Sequence, residues 1–335
     1  MNNIDFVVLW VDDSDPNWLK EKAHFSPKTS EKIKTDVDTA ARYRDWNNMK
    51  YWFRSIDRFA PWVRKIHFVT YGHLPDFLDT SNEKINIVNH KDIIPEDCLP
   101  NFNASAIEIN INNIPDLSEQ FVFFNDDMFL TKPVKPTDYF EKGLPKLEGL
   151  EGTVTSIGDG GSYCHMLLND LDVINRHFDK RTQIKKNLGK WYNIKYGAEI
   201  IRNIVLMPWG YFVGFKNAHL PMPFLKSTLD EVWNLEYDVL NETRHHRFRT
   251  FNDVNQYVFR YWQLVTGKFI PQHSMGKYYD IGSDTINEIV SDITNQKYPM
   301  ICINDSDEIE DFEKYKAMIN NAFETVFSKK SSFEK

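Results

Sequence analysis

The sequence predicts an α/β fold, a mostly parallel sheet flanked by helices, and three observations carry that expectation. Short apolar runs with strand character alternate with segments of helical spacing through residues 1–140. Each run ends at a turn-rich break. Two of the breaks are acidic, VDDSD at 11–15 and NDD at 125–127. Open sheets of this kind bind ligands beyond the carboxyl ends of their strands, so both acidic turns are expected at one rim.

In chain order, residues 6–10 (FVVLW) read as a buried strand that stops at VDDSDP, where Asp15 suits a helix cap as well as a ligand site. Trp46, Met49, Phe53, Ile56 and Phe59 recur at helical spacing across 42–59, and Pro61 closes that helix. Residues 66–70 (IHFVT) and 85–88 read as strands, 103–112 as a helix and 121–124 (FVFF) as the next strand. The Gly-rich stretch 143–164 predicts hairpins or a mobile loop, and 169–190 a helix carrying Arg176, Lys180, Arg181, Lys185, Lys186 and Lys190. A solvated face is the plain reading of those charges; contact with an anionic membrane surface is the other. Residues 225–266 read as helical and rich in aromatics, Arg and His, and 311–335 as an amphipathic helix with a charged end. The expected organisation is an α/β part over 1–142 that carries the acidic turns, a Gly-rich and basic helical insertion over 143–205, and a part over 206–335 completing the same domain.

Composition narrows the function. A formal net charge of −8 over 335 residues argues against a duplex-wide phosphate-binding surface and hence against nucleic acid, while leaving room for a local basic pocket. Cys98, Cys164 and Cys302 show no metal or disulfide spacing and read as reduced thiols of a cytoplasmic protein. The N-terminal apolar run is too short for a signal peptide, and no window approaches a membrane span, so membrane contact is expected to be peripheral at most.

The chemistry-bearing residues begin with Asp126 and Asp127. Adjacent carboxylates in FVFFNDDMFL repel one another and lose hydration, so they call for a cation, and few carboxylates shared with substrate phosphates suit Mg²⁺ or Mn²⁺. Asp305, after the ICI run, is a candidate third ligand, and an Asn-Asp turn explains it equally well. His219 stands in KNAHLPMPF, where Pro221 and Pro223 stiffen the chain; an imidazole there can accept a hydroxyl proton, and a purely structural histidine is the plainer reading of a lone one. Arg244, Arg247 and Arg249 suit phosphate oxygens, and a solvated helix face accounts for at least one of the three.

Together these segments resemble the Stealth family, whose members include bacterial capsule hexose-1-phosphate transferases and the GlcNAc-1-phosphotransferase of lysosomal enzymes. The matching blocks are IDFVVLWVDDSDPNW; RYRDWNNMKYWFRSIDRFAPWVRKIHFVTYGHLPDFL with INIVNHKDIIPEDCLPNFNASAIE and IPDLSEQFVFFNDDMFLTKPV; FKNAHLPMPFLKSTLDEVW with RFRTFNDVNQYVFRYWQLVTGKF; and ICINDSD with the C-terminal AFETVFSKKSSFEK. The resemblance implies a GT-A-like, Rossmann-type nucleotide-sugar fold. It implies transfer of a hexose- or HexNAc-1-phosphate from a UDP-sugar to an oligosaccharide or lipid-linked glycan acceptor, releasing UMP, in capsular or exopolysaccharide synthesis. On that footing Asp126, Asp127 and Asp305 hold the cation, His219 is the base, Arg247 or Arg249 faces phosphate, and Trp10, Asp12, Arg42 and Arg44 line the nucleotide. Asp13 departs from the family, which often has glycine there. Two rivals stay open: sugar transfer on the same fold with release of UDP, and a non-catalytic carbohydrate-binding protein.

Overall fold

The computed structural model describes residues 3–26, 43–155, 161–282, 285–306, 309 and 311–335. Its central sheet contains four parallel strands, β1 (Ile4–Leu9), β2 (Ile66–Thr70), β3 (Ile85–Asn89) and β4 (Gln120–Phe124). The strand Met222–Leu225 adds antiparallel to β4, and the order is β3, β2, β1, β4 and then this edge strand. Pro223 lacks a ladder N–H and is tolerated because its strand is at the edge.

These strands read as near-continuous apolar runs because both faces are buried. Phe6, Val8, Val122 and Phe124 point to one side; Val7, Phe121 and Phe123 point to the other. The first side packs on the helix Met49–Phe59 through Trp52, Phe53 and Ile56, and on the helix Phe312–Val326 through Ile319 and Phe323. The second side packs on the helices Ser162–His177 and Tyr257–Val265. That second core includes Val7, Leu171 and Val258 and so draws on all three parts of the sequence.

The helix expected over 42–59 begins at Met49, because Asn47 adopts φ +52° and breaks the helical path. The helix expected over 103–112 is the short Ala104–Glu108 followed by a 3₁₀ turn at Ile111–Asn113. The 225–266 stretch divides into Lys226–Leu235, Tyr237–His245 and Tyr257–Val265 around a loop at 246–256. In the Gly-rich stretch, Phe140–Glu141 and Leu144–Leu147 make a hairpin over Lys142 and Gly143, both at positive φ. A helix starts at Ser162 rather than 169, and 156–160 lie outside the described residues. A second sheet pairs β5 (Met128–Leu130) antiparallel with Met300–Asn304, which runs parallel to Gly276–Asp280. It carries Asn304 and Asp305 to the rim where β4 ends. No helix among the described residues is long and apolar enough to cross a membrane.

Candidate functional site

The chain winds β1, β2, β3 in one direction and then returns on the other side of β1 as β4. At that reversal, beyond the carboxyl ends of β1 and β4, lies a cavity of about 940 Å³. Trp10 and Val11 after β1, Asn125, Asp126 and Asp127 after β4, and Asn304 to Ser306 from the second sheet line it. The first turn is pinned from below: the Asp12 N–H donates to His73 Nε2 at 2.8 Å, and Asp15 accepts from the N–H groups of Asn17 and Trp18. Asp15 is thus a helix cap.

Among the described residues, the carboxyl groups of Asp45, Glu108, Asp126, Asp127 and Asp305 line the cavity. Asp126 is open to it, yet the surrounding protein strips enough hydration that burial, and then Asp127 and Asp45, push its carboxyl up to about 8. Asp45 is raised as well, first by burial, against help from the Asn47 N–H and Lys316 and with opposition from Asp12 and Asp13. Asp127 Oδ2 accepts from the Cys302 thiol at 3.1 Å, while its buried Oδ1 has no partner among the described residues. Burial, and then Asp127, Asp280 and Asp126, hold the Cys302 thiol well above its ordinary pKa, so it serves as a donor to Asp127 and not as a thiolate ligand. Crowded carboxylates and an orphaned buried oxygen fit a hard divalent cation bound through oxygen.

His219 faces this acid pair. Its Nε2 lies 3.7 Å from Asp127 Oδ2 and its Nδ1 3.2 Å from the Tyr257 hydroxyl. Its backbone takes φ +43°, the left-handed region that a non-glycine residue enters only when its surroundings hold it there. Burial is the largest single influence on His219 and lowers its pKa, but Asp127, Glu108 and Asp280 together outweigh it, and the imidazole titrates above its ordinary value. Glu108, buried at the cavity wall, is pushed up to about 7 by burial, moderated by Arg249 and His219. Arg249 reaches the same cavity from the 246–256 loop. Buried Asp253 fastens that loop: it accepts from Asn103 Nδ2 at 2.7 Å, from the Thr250 N–H and hydroxyl at 2.9 and 2.8 Å, and bonds His246 Nδ1 at 2.6 Å.

The remaining sequence candidates fall in distinct places. Both oxygens of Asp305 are engaged, by Arg44 at 2.9 and 2.6 Å and by the Trp46 indole at 3.0 Å. The pair therefore forms one neutral wall of the cavity, and Asp305 is separated in function from Asp126 and Asp127 as long as Arg44 holds it. Trp10 lines the cavity; the Asp12 carboxylate instead accepts from Ser14. Of the two arginines, Arg249 lines the cavity, whereas Arg247 donates to the Leu99 carbonyl and covers the Phe25 ring. Arg42 lies outside the described residues. Asp45, Glu108, Tyr163 and Tyr257 also line the site and were missed by sequence reasoning. Asp45 and Glu108 sit inside the quoted blocks RYRDWN and NASAIE, but nothing in their spacing distinguishes them from surface or capping residues.

The descriptions "Stealth protein CR1, conserved region 1" and "Stealth protein CR2, conserved region 2" match residues 2–30 and 42–147. The capsular polysaccharide phosphotransferase WcwK of Streptococcus pneumoniae is 43% identical over 336 residues, spanning 100% of this chain and 99% of that protein. The exopolysaccharide phosphotransferase cps2G of Lactiplantibacillus plantarum is 42% identical over 336 residues, 99% of this chain and 96% of that one. Among solved structures, the galactosyltransferase LgtC in complex with donor and acceptor sugar analogs aligns with 95% of each chain at 10% identity and a TM-score of 0.39.

Proposed function

The chain belongs to the Stealth family, and from that premise we propose that it is a cytoplasmic phosphotransferase of capsular or exopolysaccharide synthesis. It moves a hexose- or HexNAc-1-phosphate from a UDP-sugar to a hydroxyl of a glycan acceptor. The observation that carries this reading is the meeting of Asp126 and Asp127 with His219, whose Nε2 is 3.7 Å from Asp127 Oδ2, in a cavity that Arg249 also lines.

Phosphoryl transfer asks a protein chiefly for positioning and charge neutralisation. Mg²⁺ or Mn²⁺ held by Asp126 and Asp127 would supply neutralisation of the donor diphosphate. Arg249 orients the phosphate oxygens through its planar guanidinium. His219 Nε2 accepts the proton of the acceptor hydroxyl as that oxygen forms its bond to the sugar-bearing phosphorus. The bond from this phosphorus to the UMP oxygen breaks, and a sugar–phosphate–sugar diester is left. Neutralising Asp127 removes part of what raises the His219 pKa, and so favours the free base. With Nδ1 bonded to the Tyr257 hydroxyl, Nε2 is left toward the cavity.

The test resolves the nucleotide product. Purified protein, Mn²⁺ or Mg²⁺, a panel of UDP-hexoses and short oligosaccharide acceptors are incubated and the nucleotides separated by chromatography. UMP supports the proposal. UDP places the attack at the anomeric carbon and overturns it, and retention of bound sugar without turnover assigns the cavity to binding alone.

A further inference from the structure

The 181–211 stretch contains six basic residues and one acidic one in a chain of net charge −8, and it exposes an unusual amount of apolar surface. In the helix Ile201–Leu206, Asn203 and Leu206 point inward. Asn203 is locked there by the Glu151 N–H and by the carbonyls of Gly149 and Trp191. At 100° per residue the opposite side is Ile201, Ile204 and Val205, all exposed. In the flanking sequence Ile194 is 91% exposed, and Trp209 and Tyr211 are 52% and 70% exposed.

The basic helix Lys180–Lys186 is tied to this apolar face. Buried Lys180 pairs with Glu151 at 2.7 Å and donates to the Leu206 carbonyl at 2.7 Å, and Ile184 points inward with it. Arg181, Lys185 and Lys186 of the same helix are exposed to solvent. We propose that this face docks on an anionic lipid bilayer. The side chains project from short elements instead of lining a groove, so a flat, deformable apolar phase fits them better than a partner helix. Trp and Tyr are the residues that settle at the headgroup level, and Lys and Arg complement anionic lipid where the chain as a whole would be repelled. The segment 212–218 then leads from the docked face to His219, with Phe212 stacked on Trp191 and Phe215 tilted against the same ring. On the proposed function, docking places the enzyme at the bilayer, where a lipid-linked glycan acceptor resides. The surface stands apart from the transfer chemistry, because vesicle binding needs no turnover.

The test is flotation of the full chain with vesicles of phosphatidylcholine alone or mixed with phosphatidylglycerol. The wild type should float with the phosphatidylglycerol vesicles and lose that binding at high salt. Trp209→Ser/Tyr211→Ser should lower the partition by roughly tenfold or more, and Lys185→Glu/Lys186→Glu should abolish the preference for anionic lipid. Both variants alter exposed side chains, and an unchanged thermal transition will show that they fold. Absence of wild-type flotation, or equal flotation of the aromatic variant, overturns the proposal. So does a concentration-dependent dimer, seen by light scattering, that the aromatic variant dissolves, since the face would then be a protein contact.

Discussion

Replacing Tyr257 with Phe removes one oxygen and little else. The ring is 1% exposed and stacks on Tyr261 at 6.0 Å and 19°, contacts that Phe keeps, so no cavity opens. What disappears is the partner of His219 Nδ1 at 3.2 Å, together with a hydrogen bond to the Tyr163 hydroxyl. A neutral hydrogen bond of this kind contributes on the order of 1 kcal/mol, which is about fivefold in rate if it is made in the transition state. Removing the base itself with His219→Ala should cost roughly 10²- to 10⁴-fold. Tyr257 acts through His219, so its loss should register in kcat with KM unchanged, and should vanish in the His219→Ala background. The assay is steady-state kinetics on the two single variants and the double variant. A fivefold loss that persists without His219, or a Tyr257→Phe enzyme with wild-type kcat, would refute the argument.

Further outcomes follow from the electrostatics and the geometry of the site and its supports. The Asp126 carboxyl, pushed up to about 8, must lose its proton to hold a cation, so Mn²⁺ affinity by calorimetry should climb about tenfold per pH unit below 8 and level off above it. Its raised pKa also means that ionisation opposes folding increasingly from about pH 4 upward, so without divalent ions Asp126→Asn should melt higher at pH 8 than the wild type. Asp5 is fully buried against Arg64, His67 and the Ser118 N–H, and although burial opposes ionisation these partners hold its pKa down at about 2. A lowered carboxylate pKa stabilises above the unfolded value, so about 2 kcal/mol should be present above pH 4 and lost as pH falls toward 2; Asp5→Asn should cost about 3–5 kcal/mol in urea titration at neutral pH. Asp253→Ala unties the loop that carries Arg249 and should lower kcat/KM roughly ten- to hundredfold, whereas Arg247→Ala should act mainly on stability.

The strands were legible because a sheet covered on both faces leaves no polar alternation to mislead: FVVLW, IHFVT and FVFF each fell within a residue or two of β1, β2 and β4. The acidic turn after β4 was legible for the same reason, since two aspartates amid apolar residues have no local partner in sequence. Residues 276–280 (GKYYD) did not read as a strand, and β5 is only three residues long; pairing with Met300–Asn304 supplies what local sequence lacks. The second-sheet strand end, the pairing of Asp305 with Arg44 across 261 positions and the placement of Tyr257 beneath His219 are tertiary facts. No periodicity reports them. Asn47 shows the reverse limit: five apolar residues at helical spacing overrode a left-handed residue that stops the helix.

The most direct test follows the donor phosphorus itself. A UDP-sugar labelled with ³²P in the phosphate attached to the sugar is turned over with acceptor glycan and divalent cation, and the glycan is separated from nucleotide. Sugar-1-phosphate transfer puts the label in the glycan, resistant to phosphatase as a diester, and leaves unlabelled UMP. Label that stays in UDP while unlabelled sugar enters the glycan would contradict the account.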